Sequence, residues 1–361
     1  MSHFNIPIFI PHLGCPFQCI FCNQRKITSV MQSVPAQEVK SIIEAAIKTI
    51  PEDAEVEVAF FGGSFTAIDT KLQQEYLTIV KPYLDKGLIS GVRLSTRPDF
   101  IDQAKLDLLK AWGVTTIELG VQSLDDKVLL ASGRGYKSEV VYEATQLIRQ
   151  YNFQLGIQLM VGLPGDNLSA DLETTKKTIA IKPDMVRIYP TLVIADTYLA
   201  TMYKEGKYQP LSLAEAIKVC HYMFLHFQQN GIKVIRMGLH PEGEFSQSTT
   251  LLAGPFHPSF GELVQQEIYK EQANLLLQEL FKTGKNVSQV KLFVNNKDLS
   301  KLIGNHRSNV CFWQQFFNLK DIVIVQDPDL PRDFIGIGTP AALAPQLFIT
   351  RSNFIAAYLA K

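Results

Sequence analysis

Three of the five cysteines, Cys15, Cys19 and Cys22, fall within eight residues, while Cys220 and Cys311 stand alone. Their C-x3-C-x2-C spacing lets one short loop turn three thiolates toward a common centre. A disulfide framework would need an even, distributed set of cysteines, so the cluster reads as a metal site. A tetrahedral zinc would take a fourth ligand, for which His12 or Cys220 is available. A cubane iron–sulfur cluster ordinarily has four cysteine ligands, and three leave one iron open. An open iron can bind a substrate or cofactor, which favours chemistry over structural support. Cys220 falls in a predicted helix at 212–230 beside Val219 and Met223, and Cys311 in an aromatic helix; both read as packing residues.

The elements around the loop must position it. Of 361 residues, 46% are hydrophobic and 19% charged, enough for a packed core and, by length, for about two domains. Lys plus Arg and Asp plus Glu both total 35, so no global basic field favours nucleic acid, and any polyanion site must be local. No apolar run approaches the roughly 18 residues of a membrane span, and no signal-peptide pattern opens the chain, so a cytoplasmic protein without membrane association is expected. Strand-like runs at 6–10, 55–61, 91–95, 116–121, 154–161 and 184–189 alternate with amphipathic segments near 36–49, 70–85, 101–112, 137–151 and 168–181. These six strands predict an α/β fold, a partial (β/α)6 TIM-like barrel over 1–235, followed by a small α+β domain over 236–361. In such barrels the site lies at the C-terminal ends of the strands.

With Phe21 before Cys22, the cysteine run resembles the C-x3-C-x-aromatic-C hallmark of the radical S-adenosylmethionine (radical SAM) superfamily. The resemblance implies a [4Fe-4S] cluster on Cys15, Cys19 and Cys22, whose open iron chelates the amino and carboxylate groups of S-adenosyl-L-methionine. It also implies an electron from a flavodoxin or ferredoxin-type reductant, cleavage of the sulfonium, and a 5′-deoxyadenosyl radical that abstracts hydrogen from a substrate. Gly62, Gly63 and Ser64, followed by Thr66, match the superfamily's Gly-Gly-Glu position, with serine for glutamate as in the coproporphyrinogen-oxidase-like branch. Gly120-Val121-Gln122-Ser123 resembles a segment shared by that branch and the Elongator catalytic subunit. A bound ribose or methionine carboxylate would satisfy Gln122 and Ser123 at the end of their apolar strand. Arg134 matches an arginine that faces the S-adenosylmethionine carboxylate; the competing reading is a surface arginine on a capping loop. Gln158 stands where coproporphyrinogen oxidase has an aspartate on the ribose.

The run from Pro183 to Ile194, with Arg187 and Tyr189 as candidate substrate residues, is more like the Elongator subunit, which usually has lysine at the position of Arg187. Elongator's cysteine motif is more widely spaced, and no acetyltransferase-like pyrophosphate loop follows residue 236. Carboxymethylation of a wobble uridine therefore does not carry over directly.

Further on, His240, His257 and Glu262 sit in Gly/Pro-punctuated segments, between a predicted strand at 232–236 and a predicted helix at 262–282. They could contact substrate, or close the barrel's open side through hydrogen bonds. Residues 290–326 read as strand, helix, short loop, helix and strand. That order resembles a minimal KH fold, with Gly304 opening the interhelical loop and Arg307 in place of its second glycine. From 282 to 307 there are six basic residues and one acid, Asp298. Lys301, Gly304, His306 and Arg307 are the candidate RNA contacts. Phe312, Trp313, Phe316 and Phe317 read as core by their helical spacing. The leading expectation is a radical SAM enzyme acting on an RNA base, with tRNA as partner. A coproporphyrinogen-oxidase-like enzyme of a small molecule or haem, and a non-catalytic RNA-binding protein with a structural metal, are the alternatives.

Overall fold

The computed structural model describes residues 3–10, 19–23, 34–51, 53–239, 250–282 and 287–360. Cys15, His12 and His240 lie outside the described residues. The chain divides into two compact units, Met1–Ala216 with Ile232–Pro258, and Ile217–Gly231 with Ser259–Lys361. It passes between them three times, whereas the sequence reading drew one division after residue 235.

The first unit is built on a parallel sheet. Its strands are β1 (His3–Phe9), β2 (Glu55–Phe61), β3 (Gly91–Thr96), β4 (Val114–Gln122), β5 (Gln154–Val161) and β6 (Met185–Pro190). A short β7 (Val193–Ile194) follows, then β8 (Lys233–Met237), which completes the sheet in the order β1-β2-β3-β4-β5-β6-β8. Seven strands thus stand where six were expected. The strand foreseen at 232–236 joins this sheet because β8 pairs in parallel with the open edge of β6, Arg187 opposite Arg236. β7 pairs instead with β9 (Leu251–Ala253), antiparallel. Among the described residues no helix is long and apolar enough to cross a membrane.

The crossover helices pack by stripes of three-and-four spacing, Tyr76, Leu77 and Val80 on one and Leu106 and Leu109 on the next. Their starts are fixed locally. Asp69 accepts from the backbone of Lys71, Asp102 from Lys105, and Asn167 from Ser169 and Ala170, caps worth about 1 kcal/mol each. The helix Leu168–Ile181 departs from the apolar pattern, burying Asp171, Thr174, Thr175 and Thr178. Its threonines are satisfied within the fold: Thr175 and Thr178 donate to the carbonyls of Asp171 and Thr174.

The second unit packs helix Phe260–Lys282 against the sheet β11-β10-β12-β13, formed by β10 (Gln289–Val294), β11 (Asp321–Gln326), β12 (Ile335–Gly338) and β13 (Leu347–Ile349). The expected strand-helix-helix-strand order is present, with helices Leu299–Ile303 and Ser308–Phe316 between β10 and β11, and these two strands run parallel. Trp313 is fully buried beside Leu277, Leu292 and Ile337, as expected. Phe316 is not core: it is 62% exposed, because Asn309, Val310 and Trp313 form the inward stripe and Phe316 lies off it. Phe312 and Phe317 are half-buried at the margin of that core.

Candidate active site

Residues from all seven strands line a cavity of about 980 Å3 whose wall includes Cys19, Cys22, Gly62, Arg134 and Arg187. The cysteine loop enters after β1. Its end is closed by a turn in which Cys22 N–H donates to Cys19 O at 2.9 Å. Ile20 is held on both sides, donating to Ser132 O at 3.2 Å and accepting from Leu199 N–H at 2.8 Å. Ile20 and Phe21 also pack on the apolar cluster of Val193, Leu199, Ala200 and Tyr208. Phe21 thus anchors the loop in apolar contacts while lining the cavity.

Two guanidinium groups converge on one sulfur. Arg134 Nη1 donates to Cys19 Sγ at 3.2 Å and Arg97 Nη1 at 3.5 Å. Both arginines are buried and held from behind. Arg97 grips Asp99 at 2.9 and 2.8 Å and donates to Arg134 O at 2.6 Å. Arg134 donates to Gly120 O and, at 2.7 Å, to Tyr136 Oη. Burial opposes the charge of Arg134, but Tyr136 and Cys19 outweigh it and hold its pKa above the ordinary value. Two fixed positive charges thus stand within hydrogen-bonding reach of the Cys19 sulfur. Arg134 is therefore not a surface residue on a capping loop. Arg97 was missing from the candidate residues; the signal available was its pairing with Asp99 two residues on, directly after β3.

The post-strand loops supply the rest of this end. Gly62 has φ +96°, a conformation that disfavours a side chain, and Gly63 and Ser64 follow it along the cavity wall. Gln122 has φ +72°, and the β4–β5 register shifts between Gly120 and Gln122. A non-glycine residue there costs about 1–3 kcal/mol, strain of the kind that collects at functional sites. A Cβ on Gly120 would stand 3.1 Å from Gln122 Nε2, so the small residue leaves room for the amide in the cavity. Ser123 differs from expectation: it pairs with Thr174 Oγ1 at 3.2 Å and accepts from Asp125 N–H at 3.1 Å, so the fold itself satisfies it. Thr66 is buried, its hydroxyl 2.6 Å from that of Thr96, and ties the loops after β2 and β3 together.

Below this end the barrel interior is charged. Glu57 and Glu118 are buried at 5% and 1% exposure. Arg93 bridges them, at 2.9 and 2.5 Å to Glu57 and 2.9 Å to Glu118. Glu118 also takes both ends of Arg187, at 2.6 and 3.0 Å, and the amide of Gln158 at 3.0 Å. His3 Nε2 reaches Glu57 at 2.8 Å. Burial raises the pKa of both carboxyls, but Arg187 and Arg93 at Glu118, and Arg93 at Glu57, reverse the sign and hold both below the usual range. Gln158, matched to a ribose contact, gives its amide N–H groups to Glu118 and, at 3.1 Å, to Ser95. Tyr189 lines the cavity beside Arg187. Its phenol pKa is raised by burial, partly offset by Arg187 and Arg236.

Of the remaining first-unit candidates that the structure describes, His257 is not among the residues lining this cavity. His257 is half-buried in the loop after β9. Glu262 belongs to the second unit, where it accepts from Ser300 Oγ at 2.9 Å. Lys301 is committed to buried Asp298 at 3.0 Å. Gly304 has φ +78°, and exposed His306 and Arg307 follow with φ of 49° and 62°.

Comparison with known proteins gives this geometry its family. The chain is 31% identical over 213 residues to a tRNA uridine(34) acetyltransferase of Methanocaldococcus jannaschii, covering 52% of this chain and 38% of the relative. A protein of the same name from Dehalococcoides mccartyi is 28% identical over 241 residues, 57% of this chain and 52% of the relative. The Bos taurus Elongator complex protein 3 is 32% identical over 132 residues, 36% and 24% of the two chains. The chain thus spans about half or less of these relatives' length. The archaeal Methanocaldococcus infernus Elp3 with an N-terminal deletion shares the fold, with TM-score 0.59 at 23% identity over 75% of this chain and 63% of that one. Residues 9–178 match the radical SAM superfamily and residues 183–270 its C-terminal domain. On these matches, the chain belongs to the radical SAM superfamily of enzymes and is similar to its Elongator-like members.

Proposed function

We propose that this chain is a radical SAM enzyme that modifies a tRNA base, with a [4Fe-4S] cluster on Cys15, Cys19 and Cys22. The observation that carries the reading is Cys19 Sγ between the guanidiniums of Arg134 and Arg97, in a cavity that Cys22 also lines. Thiol donors with cationic neighbours fit an iron–sulfur cluster. A bound cluster supplies one-electron reduction of the S-adenosylmethionine sulfonium. The chain's own residues do the rest. Gly62 and Gly63 let backbone approach the methionine end of the cofactor, and Gln122 is set to hydrogen-bond it. Arg134 supplies positive charge for the cluster thiolates and the cofactor carboxylate. The ion pairs below fix the side chains that meet the substrate, and packing of Phe21 on the Val193–Tyr208 cluster keeps water from the loop.

The tRNA part of the proposal rests on the similarity to proteins named tRNA uridine(34) acetyltransferase. Exposed His306 and Arg307 are the proposed RNA contacts in the second unit, and a flavodoxin or ferredoxin-type protein is the proposed electron donor. Nucleoside analysis of tRNA from a deletion strain tests the substrate. One modified nucleoside should vanish or be replaced by a precursor; an unchanged profile would reject tRNA and leave a small-molecule substrate. Anaerobic reconstitution tests the metal: a brown protein is expected, and a colourless one holding a single zinc would reject the cluster.

A further inference from the structure

Six Arg and Lys side chains among the described residues line the cavity: Arg93, Arg97, Arg134, Arg187, Lys233 and Arg236. Most of their charge is committed. Arg93 and Arg187 are paired with Glu57 and Glu118, Arg97 with Asp99, and Arg134 with the sulfur of Cys19. Lys233 opens β8 and has Glu55, which opens β2, as a fellow lining residue of opposite sign at the far end of the strands. Lys233 and Arg236 are both left without an ion pair among the described residues, and of the two Arg236 lies nearer the C-terminal end of β8, the end that carries the site. Arg236 lines the cavity, is exposed, and has no ion-pair or hydrogen-bond partner among the described residues. Its strand places it opposite Arg187, beside Tyr189.

The sequence pointed to Arg187 as the cation for substrate. Its bidentate contact with Glu118 takes two of its three nitrogens and cancels its charge. We propose that Arg236 is the site's anion contact, binding a phosphate or carboxylate group of the substrate beside Tyr189, while Glu118 withdraws Arg187 from that task. A guanidinium offers such a group two parallel N–H donors. The inference rests on the radical SAM reading of the cavity. On the tRNA reading the group is the phosphate of the nucleotide whose base enters the barrel.

Calorimetric titration of the reconstituted protein, saturated with S-adenosylmethionine, tests this with uridine and uridine 5′-monophosphate as probes. Wild type should bind the monophosphate about ten-fold tighter than the nucleoside. Arg236→Gln should close that gap and Arg236→Lys should keep most of it; exposure of the side chain leaves both variants folded, which a thermal melt checks. Competition by inorganic phosphate assigns the group as phosphate, and competition by acetate alone assigns it as carboxylate. Equal affinity for the two probes in wild type, or a gap that persists in Arg236→Gln, would overturn the proposal. If the gap closes in Arg236→Gln while tRNA nucleosides in a deletion strain are unchanged, the anion site stands and the tRNA reading falls.

Discussion

Glu118 shows what single residues contribute. A buried carboxylate bound by Arg93, Arg187 and Gln158 gains little net stability over an apolar core, because desolvation offsets most of the Coulombic attraction. Removing its charge while leaving both arginines is different. Glu118→Gln should destabilise the fold by about 3 kcal/mol, read by urea unfolding, since it strands buried positive charge; a loss under 1 kcal/mol would show that water reaches the arginines. Gln122 makes the opposite trade. Gln122→Gly relieves the positive φ and should raise stability by up to about 1 kcal/mol while weakening S-adenosylmethionine binding. Calorimetry on the same samples reads both effects, and unchanged cofactor affinity would remove Gln122 from the site.

At the scale of elements, the loop after β5 and the helix that follows bring two carboxyls, Asp166 and Asp171, together. Asp166 accepts from the Gly162 backbone at 3.0 Å, and nearby Asp171 is pushed up to about 9 by burial and by the charge of Asp166. Its folded pKa lies above the unfolded value, so the folded state binds more protons and stability falls as pH rises from about 4 to 9. Asp171→Asn should therefore melt higher than wild type, by a margin that grows with pH between 5 and 8. Margins that stay constant from pH 5 to 8 would contradict the raised pKa of Asp171. Elements were also what the sequence disclosed best. Strands and crossover helices were legible because their periodicity is local, and Cys19, Cys22, Gly62 and Arg134, singled out by motif spacing, all line the cavity. The Glu57–Arg93–Glu118–Arg187 ladder was not, because Glu118 and Arg187 are 69 residues apart and meet only through strand register. The exposure of Phe316 was missed for a related reason: helical spacing marks a stripe, and only tertiary packing decides which stripe turns inward.

For the whole molecule, zero net charge proves compatible with a site rich in cations, because Arg93 and Arg187 are paired with carboxylates across strands and Arg97 with Asp99. The superfamily accounts for the first unit's sheet and for the placing of its loops, while the second unit carries its own core around Trp313. The central claim is that Cys15, Cys19 and Cys22 hold a cluster that cleaves S-adenosylmethionine. The most direct measurement is 5′-deoxyadenosine formed by the anaerobically reconstituted protein with dithionite and S-adenosylmethionine, beside a Cys19→Ala control. Production by wild type that falls to background in the variant is predicted. Equal traces in both would contradict the account.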